Sequence, residues 1–405
     1  MTPINKRVLI SGLGIAGPTL AYWLKAGGFE PILIERAPKP RTDGYVIDFW
    51  GLGYDIAEQM GLGPDINRLG YHMRELRIIG DHGGRLAGFG VKVFDELTDG
   101  RFITLGRSDL SGLLFDAIRG ETEVVFGDEI VDLREDADGV RVKFKHGRER
   151  RFDLVIGADG LHSDVRRLVF GAEAHFETPL GYGVAAFEVA GYVPHDEDIY
   201  LLYGQPGRMV GRFTLREDRT LFLFIFVTDR GALPTTRDAQ KAMLRAVYAD
   251  GKWECPKILE ELDRADSLYF DSISQIRMDR WWSGRVALVG DAAFCVSLAA
   301  GQGAALAMTS AYVLAGELAK AQGRHREAFA AYEGALRDYV AAKQSGAERF
   351  ALAFAPKTHW GMVFRNQVVR AFVIPGLARF ALGREIIDAL QLPQYPWASL
   401  CELEA

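Results

Sequence analysis

Three short segments of the chain carry residues that could hold phosphate or sugar groups. The first, "GLGIAG", places Gly12, Gly14 and Gly17 between an apolar run and a helical pattern. Glycines at this spacing permit a tight turn, close approach of backbone amides to a pyrophosphate, and helix–strand packing. Glu35 ends the next apolar run, where an acid can accept hydrogen bonds from a ribose. These residues predict a bound dinucleotide, and the alternative is a glycine-rich turn that binds nothing.

The second segment, "VIGADGLHSDVRR", ends an apolar run on Asp159 and Gly160 and then turns into a helical pattern near Ser163. An acid at this place can contact a nucleotide. The alternative is a structural corner in which Asp159 and Ser163 only cap backbone amides. The segment alone does not separate these two interpretations.

The third segment, "GDAAFCVSLAAGQG", follows the apolar run "RVALV". Asp291 at the end of a strand can bind a sugar-alcohol hydroxyl. Gly301 and Gly303 open a helix whose first amides can face an oxygen-rich ring edge. A helix cap with glycine packing would explain Asp291 but not the paired glycines.

The elements that position these segments read as an α/β protein. Short apolar runs at 7–11, 30–35, 153–157 and 285–290 predict strands of one parallel sheet. Residues 175–230 alternate apolar and polar positions between turn residues, which predicts an antiparallel region. The pattern after the third segment is helical, so one nucleotide-binding domain is predicted, interrupted by a β-rich region and followed by C-terminal helices.

Composition excludes several classes of function. The chain has 405 residues and a net charge of -6, which offers no basic surface for nucleic acid. Three cysteines and eight scattered histidines give no spacing typical of a metal site, so none is expected. No signal peptide or membrane-spanning run is evident, and we expect a soluble, cytoplasmic protein without a membrane partner.

As an ordered set, the three segments resemble the motifs of class A flavoprotein aromatic monooxygenases, the p-hydroxybenzoate hydroxylase family. "GRSDLSGLL" is similar too, with Arg107 at the position where that family places an arginine beside the flavin. Within the family, "GRVALVGDA", "GQG", "YVLAGEL" and the terminal "LPQY" are most similar to the tetracycline-inactivating branch. The resemblance covers essentially the whole chain.

The resemblance implies FAD as the bound cofactor and NAD(P)H as a transient reductant without a domain of its own. In such enzymes O2 adds to the reduced flavin as a C4a-hydroperoxide, which transfers one oxygen to an aromatic or polyketide-like substrate. The cofactor-binding residues that it implies are Gly12, Gly14, Ile15, Ala16, Gly17, Glu35, Arg36, Arg41, Arg107, Asp159, Gly160, Arg166, Gly290, Asp291, Leu298, Gly301, Gln302, Gly303 and Ala304.

The expected domains are a Rossmann-like FAD-binding domain (1–172 and 270–345), a β-rich substrate domain (173–269) and a C-terminal helical segment (346–405). Aromatic residues of the β-rich region are candidates to line the substrate pocket: Phe187, Phe213, Phe222 and Phe224, with Phe226 beside them. The alternative is that alternating phenylalanines form a sheet core. Arg212 is a possible polar anchor for substrate, and no residue is assigned a direct chemical step. Asp48 and Arg41 lie where the family places substrate and flavin-mobility contacts.

One feature departs from the family pattern. Most relatives carry histidine or tyrosine at Phe294 and at least one proline before the Gly-Gln-Gly; here Val296 and Leu298 stand at the proline positions of the tetracycline-inactivating pattern. Because proline fixes φ, its loss predicts a softer, more apolar wall beside the flavin.

Three other functions remain open at this level. A flavoprotein dehydrogenase or reductase of the same fold would never insert oxygen. A ligand-sequestering flavoprotein would bind substrate without turnover. A plain NAD-dependent dehydrogenase would use "GLGIAG" and Glu35 but leave the other two motifs idle. The state of assembly is expected to be a monomer or a homodimer.

Overall fold

A computed structural model describes residues 3–40, 45–228, 233–298, 301–374, 376–395 and 397. The strands of this part of the chain are β1 (Arg7–Ser11), β2 (Glu30–Glu35), β3 (Val46–Phe49), β4 (Glu75–Ile79), β5 (Arg85–Gly90), β6 (Ile103–Gly106), β7 (Glu123–Phe126), β8 (Ile130–Asp136), β9 (Gly139–Phe144), β10 (Arg150–Phe152), β11 (Leu154–Gly157), β12 (Glu177–Ala190), β13 (Ile199–Gln205), β14 (Arg208–Thr214), β15 (Arg219–Val227), β16 (Tyr269–Ile276), β17 (Trp282–Ser283) and β18 (Val286–Leu288).

The helices of the same residues alternate with the strands and dominate the C-terminal third. They are α1 (Ala16–Ala26), α2 (Leu52–Gln59), α3 (Gly63–Leu69), α4 (Val91–Thr98), α5 (Arg107–Asp116), α6 (Asp164–Val169), α7 (Arg237–Val247), α8 (Cys255–Glu261), α9 (Asp291–Phe294), α10 (Gly303–Lys320), α11 (His325–Phe354), α12 (His359–Ala371) and α13 (Leu377–Ile386).

The first sheet carries the three motifs at the ends of its strands. Its order is β17-β18-β11-β1-β2-β7, and every pairing from β18 to β7 is parallel. Parallel strands covered on both faces read as continuous apolar runs, and β1 and β11 are buried in this way. The four predicted strands are therefore confirmed, and β7 joins them at the edge.

Helices α1 and α10 pack together against this sheet. Their contact is aromatic, with the rings of Trp23 and Tyr312 edge to face at 5.0 Å between centroids. Such a pair contributes about 1 kcal/mol beyond the area that it buries. This packing fixes the first and third motifs side by side, because α1 follows the first motif and α10 follows the third.

The second large sheet has the order β16-β12-β15-β14-β13-β4-β5 and is mostly antiparallel. Strands β4 and β5 come from the segment expected to belong to the FAD-binding domain, and β4 pairs in parallel with β13. The sheet thus crosses the expected boundary at residue 173. Local sequence pattern does not reveal such a pairing, because it joins segments far apart in the chain.

No helix within the described ranges is both long enough and apolar enough to cross a membrane.

Candidate functional site

The first motif forms a loop whose three glycines face different surroundings. Gly12 has φ +110°, and a Cβ there would lie 2.5 Å from the Ala158 carbonyl oxygen. A Cβ on Gly17 would lie 2.0 Å from the Gly12 carbonyl oxygen. Among the described atoms, by contrast, a Cβ on Gly14 would meet only the Arg107 guanidinium, at 3.9 Å. Two glycines are thus required by protein packing, and Gly14 alone leaves its backbone open to a ligand.

Helix α1 begins directly behind this loop, with Ile15 at its N-cap position. Isoleucine has no side-chain oxygen to accept the first amides, and the end of the helix therefore suits an anion. Ile15 and Ala16 are both buried. Their contribution to a cofactor site is consequently limited to the backbone.

Glu35 ends β2 beside the loop. Its carboxylate accepts hydrogen bonds from the backbone amides of Leu13 and Ala37, both at 2.9 Å. Each oxygen keeps a second lone pair, so the carboxylate can still receive ribose hydroxyls. Arg36 beside it is exposed, and Arg41 lies outside the described residues.

The second motif builds a capped helix start. The Ser163 hydroxyl donates to the Asp159 carboxylate at 2.5 Å, and the Val165 amide donates to its other oxygen at 3.1 Å. Ser163 in turn accepts the Arg166 amide at 3.0 Å. The capping interpretation is therefore correct for these side chains, while Gly160, at φ +82°, has no described atom within 4 Å of a Cβ.

Arg166 is fully buried and connects the second motif to the third. Its guanidinium donates to the Ala292 carbonyl oxygen at 3.0 Å and to the Glu173 carboxylate at 2.8 Å. These bonds hold α6 against α9. Arg166 is thus placed to position the motifs, and a direct cofactor contact stays a prediction.

His162 in the same motif bridges two carboxylates. Its Nε2 lies 3.3 Å from the Asp271 carboxylate and its Nδ1 lies 2.9 Å from the Glu173 carboxylate. The Asp271 hydrogen bond, together with Glu173, raises the pKa of His162 to about 9. The imidazolium therefore ties the second motif to β16 at neutral pH.

The third motif places an acid at a sharp turn. Gly290 has φ +59°, and a Cβ there would come within 3.5 Å of Ala16 and Ala307, so the turn is fitted between α1 and α10. Asp291 follows it as the first residue of α9. Burial raises the pKa of the Asp291 carboxyl, and the positive charge of Arg107 partly offsets this.

Arg107 is the cation shared by the first and third motifs. It lies beside Gly14, interacts with Asp291, and donates its backbone amide to the Tyr45 carbonyl oxygen at 3.0 Å. The Tyr45 and Tyr269 rings lie 5.2 Å apart in the same region. Burial raises the pKa of Tyr45 to about 12, so this hydroxyl stays protonated. Sequence reasoning missed both tyrosines, because nothing local distinguishes them.

The start of α10 offers a second open backbone. Gly301 has φ +65°, and a Cβ there would lie 3.4 Å from the Trp50 ring. A Cβ on Gly303 would meet no described atom within 4 Å. Gln302 and Ala304 beside them are buried. The space beside Gly14 and Gly303 would allow the close approach to the backbone that FAD needs, and the residues therefore fit this cofactor.

The segment from Cys295 to Leu298 is held by hydrogen bonds in place of the missing prolines. The Gln275 side-chain amide donates to the Val296 carbonyl oxygen at 3.2 Å. The Gln344 amide donates to the Cys295 carbonyl oxygen at 3.3 Å, and the Ile276 backbone amide donates to the same oxygen at 3.0 Å. The expected softening is thus countered by donors that the sequence motif does not contain.

The flanking side chains of this segment are packed. Phe294 is buried with its ring 4.5 Å from that of Trp281, and Val296 is also buried. Leu298 packs against apolar residues of the second sheet. The wall is therefore apolar, as predicted, and Leu298 connects the third motif to the second sheet.

The phenylalanines of the second sheet separate onto two faces. Phe187, Phe222 and Phe224 pack under α7 and α8, at most 1% exposed. Successive residues of a strand point to opposite faces, which also places Phe226 in this core. These residues form a sheet core, so their assignment to the substrate pocket is wrong. Of the candidates named from the sequence, Phe213 lies on the other face, 4.8 Å from the Tyr200 ring.

Arg212 also lies on the helix-covered face. It is 2% exposed and donates to both oxygens of Glu254, at 2.8 and 2.6 Å, and to Asp196. A buried guanidinium that is neutralised by two carboxylates has little charge left for a ligand. Its assignment as a substrate anchor is therefore wrong.

A polar cluster occupies the face that carries Phe213. The Asp48 carboxylate accepts hydrogen bonds from the Thr104 hydroxyl at 2.6 Å and the Tyr200 hydroxyl at 2.7 Å. Burial raises the pKa of the Asp48 carboxyl, although the two hydrogen-bond donors act to lower it. The cluster joins β3 and β6 to β13. Sequence reasoning singled out Asp48 alone, because the other two residues sit in ordinary strand patterns.

Comparison with protein families matches residues 5–343 of the chain to the FAD binding domain. A protein named flavin-dependent monooxygenase, from an unknown prokaryotic organism, is 35% identical over 398 residues, covering 96% of this chain and 98% of that protein.

Two solved structures extend the likeness to the whole fold. The crystal structure of tetracycline destructase Tet(55) has a TM-score of 0.83 and 31% identity, covering 98% of this chain and all of the other. HpxO of Klebsiella pneumoniae, solved with FAD and uric acid, has a TM-score of 0.76 and 25% identity, covering 93% and 97% of the two chains.

Proposed function

The chain belongs to the FAD-binding family of flavin-dependent monooxygenases, and on that premise we propose that it oxygenates a phenolic or enolic small molecule. FAD supplies the redox chemistry and the activation of O2, with NAD(P)H as the reductant general to this family. The predictions of an FAD-dependent monooxygenase and of its α/β fold are confirmed. The substrate class is our inference.

The observation that carries this proposal is the hydrogen-bonded cluster of Asp48, Thr104 and Tyr200. Tyr200 is half-buried on the sheet face beside Phe213, and its hydroxyl already donates to the carboxylate. A substrate hydroxyl at Tyr200 could transfer its proton to the tyrosine oxygen while the tyrosine proton moves to Asp48. An elevated carboxyl pKa favours this direction of transfer.

The surrounding surface suits an apolar ring. Leu202, Leu223 and Leu298 are half-buried on the same face, between the second sheet and the third motif. Apolar walls with few polar groups are typical of small-molecule pockets, and they also exclude water from the reacting groups. A fused aromatic polyketide with an enolised carbonyl has both the flat apolar surface and the acidic hydroxyl that such a site would select.

We further propose that the open backbones at Gly14 and Gly303 bind the cofactor together with Glu35, Arg107 and Asp291. Arg166 would act through the backbone that it holds. Tetracycline destructases of the same fold support tetracycline-like polyketides as first candidates. A cytoplasmic location and a monomeric or dimeric state remain predictions.

The test pairs each phenol or tetracycline with its O-methyl ether. We expect the free hydroxyl compounds to stimulate NAD(P)H oxidation and to acquire one labelled oxygen from 18O2, and the ethers to do neither. Asp48→Asn and Tyr200→Phe should lower product formation by about 10²-fold, the lower range of proton-transfer contributions.

The chain provides a matched control on the opposite face of the same strand. The Tyr203 hydroxyl donates to the Asp81 carboxylate at 2.9 Å, away from Phe213. Asp81→Asn and Tyr203→Phe should leave turnover within about twofold of the wild type. Equal stimulation by a phenol and its ether, or equal loss in both pairs of variants, would contradict the proposed proton acceptor.

A further inference from the structure

The C-terminal helices expose an unusual amount of large apolar side chain. Trp360 and Phe364 on α12 are 83% and 72% exposed, and Phe380 on α13 is 86% exposed. Val363, Val373 and Ile374, on α12 and the turn after it, are at least 48% exposed. We call these six residues the C-terminal apolar surface. Six large apolar side chains exposed within 21 residues of the chain are typical of an interaction site.

The exposed side of α12 is not the side by which the helix is attached. Phe372 and Val368 pack against α4 through Val93 and Leu97. Trp360, Val363 and Phe364 recur at helical spacing along the exposed side of α12. Met362 and Val369, on the other side of the helix, are half-buried. The exposed side of α12 therefore carries large apolar side chains that the described part of the chain leaves uncovered.

The charge of this segment identifies the partner. Between Glu348 and Glu385 the sequence has no acidic residue, although the whole chain has a net charge of -6. The basic residues between these two glutamates are Arg349, Lys357, Arg365, Arg370, Arg379 and Arg384.

Two neighbouring carboxylates offset part of this charge. Glu96 accepts the Gly376 backbone amide at 2.7 Å, and Asp99 lies 3.9 Å from the Arg379 guanidinium. Arg370 donates to the Leu86 carbonyl oxygen. Because this acceptor carries no net charge, the contact does not neutralise the Arg370 guanidinium. The surface therefore combines exposed aromatic rings with excess positive charge.

We propose that the C-terminal apolar surface binds reversibly to the surface of an anionic lipid bilayer. Aromatic rings settle at the level of the lipid headgroups, and each nearby Lys or Arg adds attraction to anionic lipid. A second copy of the chain fits less well, because a twofold interface would bring the same basic segment of each copy together. Such peripheral binding needs no spanning helix.

The experiment uses the full-length FAD-loaded protein and sucrose-loaded vesicles. We expect the protein to sediment with phosphatidylcholine vesicles that contain about one-third phosphatidylglycerol, and at least tenfold less with phosphatidylcholine alone. Binding should also fall about tenfold between low salt and about 0.5 M salt, since salt screens exposed charges. These two dependences test the wild type without any variant.

Variants then locate the surface. Trp360→Ser with Phe364→Ser should lower binding about tenfold or more. Arg370→Gln should lower it about fivefold, the value of one charge near such a membrane. The matched controls are Val193→Ser, at a residue 57% exposed elsewhere, and Arg134→Gln, at a side chain 76% exposed. Both should bind like the wild type.

Two results would overturn the proposal. One is binding that is equal for neutral and anionic vesicles, or absent from both. The other is a dimer in light scattering that the Trp360→Ser and Phe364→Ser changes convert to a monomer while vesicle binding stays at background. Flavin content and thermal unfolding of each variant establish that it is folded.

Discussion

Replacing Gln275 by leucine tests whether hydrogen bonds stand in for proline beside the flavin. Gln275 is fully buried, and its amide donates to the carbonyl oxygens of Val296 at 3.2 Å and Gln344 at 2.8 Å. Leucine keeps most of the volume but leaves both oxygens without this donor. The Gln275 side chain therefore helps to hold the backbone of the segment that leads to the Gly-Gln-Gly turn.

The magnitude follows from the two backbone carbonyl oxygens that lose this donor. The Gln275 side-chain oxygen also accepts from the Arg277 guanidinium, which keeps its contact with Glu348. An unsatisfied buried polar group costs about 1–3 kcal/mol, so we expect the free energy of unfolding to fall by about 2–4 kcal/mol. If about half of the cost of one unsatisfied group, roughly 1.4 kcal/mol, is lost from the free energy of FAD binding, the FAD dissociation constant rises about tenfold. Gln344→Leu should act in the same direction, since Gln344 holds the Cys295 and Ile276 carbonyl oxygens. The double variant should lose less than the sum, because the two side chains hold one segment.

The assay combines urea unfolding with FAD titration by flavin fluorescence. Gln240→Leu is the matched control, because its amide donates to the Pro234 carbonyl oxygen at 3.0 Å on the far side of the second sheet. It should change stability modestly and FAD affinity within about twofold. If Gln275→Leu and Gln344→Leu also bind FAD within twofold of wild type, the reasoning is refuted.

A proline restored to the segment gives an independent measurement. Since donors already hold the carbonyl oxygens of Cys295 and Val296, we expect Leu298→Pro to leave the coupling of NAD(P)H oxidation to product within about twofold of wild type. A large gain in coupling would instead show that the missing proline matters.

Three further outcomes are expected. Gly14→Ala should weaken FAD binding about tenfold and leave the unfolding of the apoprotein unchanged, whereas Gly17→Ala should fail to fold, because its Cβ would lie 2.0 Å from a carbonyl oxygen. FAD titration and circular dichroism measure these two effects, and equal behaviour of the two variants would contradict the assignment of Gly14 to cofactor binding. Phe213→Ala should change the affinity for a panel of phenols about tenfold, as measured by flavin difference spectra. Phe224→Ala should lower the free energy of unfolding in urea by about 3–5 kcal/mol without changing the order in which these phenols are preferred. The pKa of His162 is raised to about 9, so its ion pairs stabilise the fold fully below about pH 6.5 and cease to do so as pH rises through 9. Urea unfolding should therefore show His162→Gln to be less stable than the wild type at pH 6 and equally stable near pH 10. A loss of stability that does not depend on pH would argue against the charged form of His162.

Local pattern was sufficient for the cofactor half of the molecule. The apolar strands, the glycine loop and Glu35 lie within about 30 residues of one another, and their spacing is imposed by backbone geometry that any sequence must satisfy. The second and third motifs end strands of the same parallel sheet, whose carboxyl ends meet at one edge. The sequence therefore predicted the sheet, the family and the cofactor.

The substrate half depended on tertiary structure. A period of two shows that Phe222, Phe224 and Phe226 share a face, but only the packing of α7 and α8 decides that this face is the covered one. Arg212 is likewise neutralised by carboxylates that no local pattern connects to it.

The same holds for the groups that we assign to chemistry and rigidity. Asp48 and Tyr200 are hydrogen-bonded although they lie 152 positions apart in the chain, and Gln344 and Cys295 are hydrogen-bonded at a separation of 49 positions. Hydrogen bonds form between atoms brought within about 3 Å, and sequence separation does not constrain which atoms these are. The sequence by itself determined the family of this protein and its cofactor. The fold decided which side chains lie at the proposed substrate site, because side-chain contacts depend on how the two sheets and the covering helices pack.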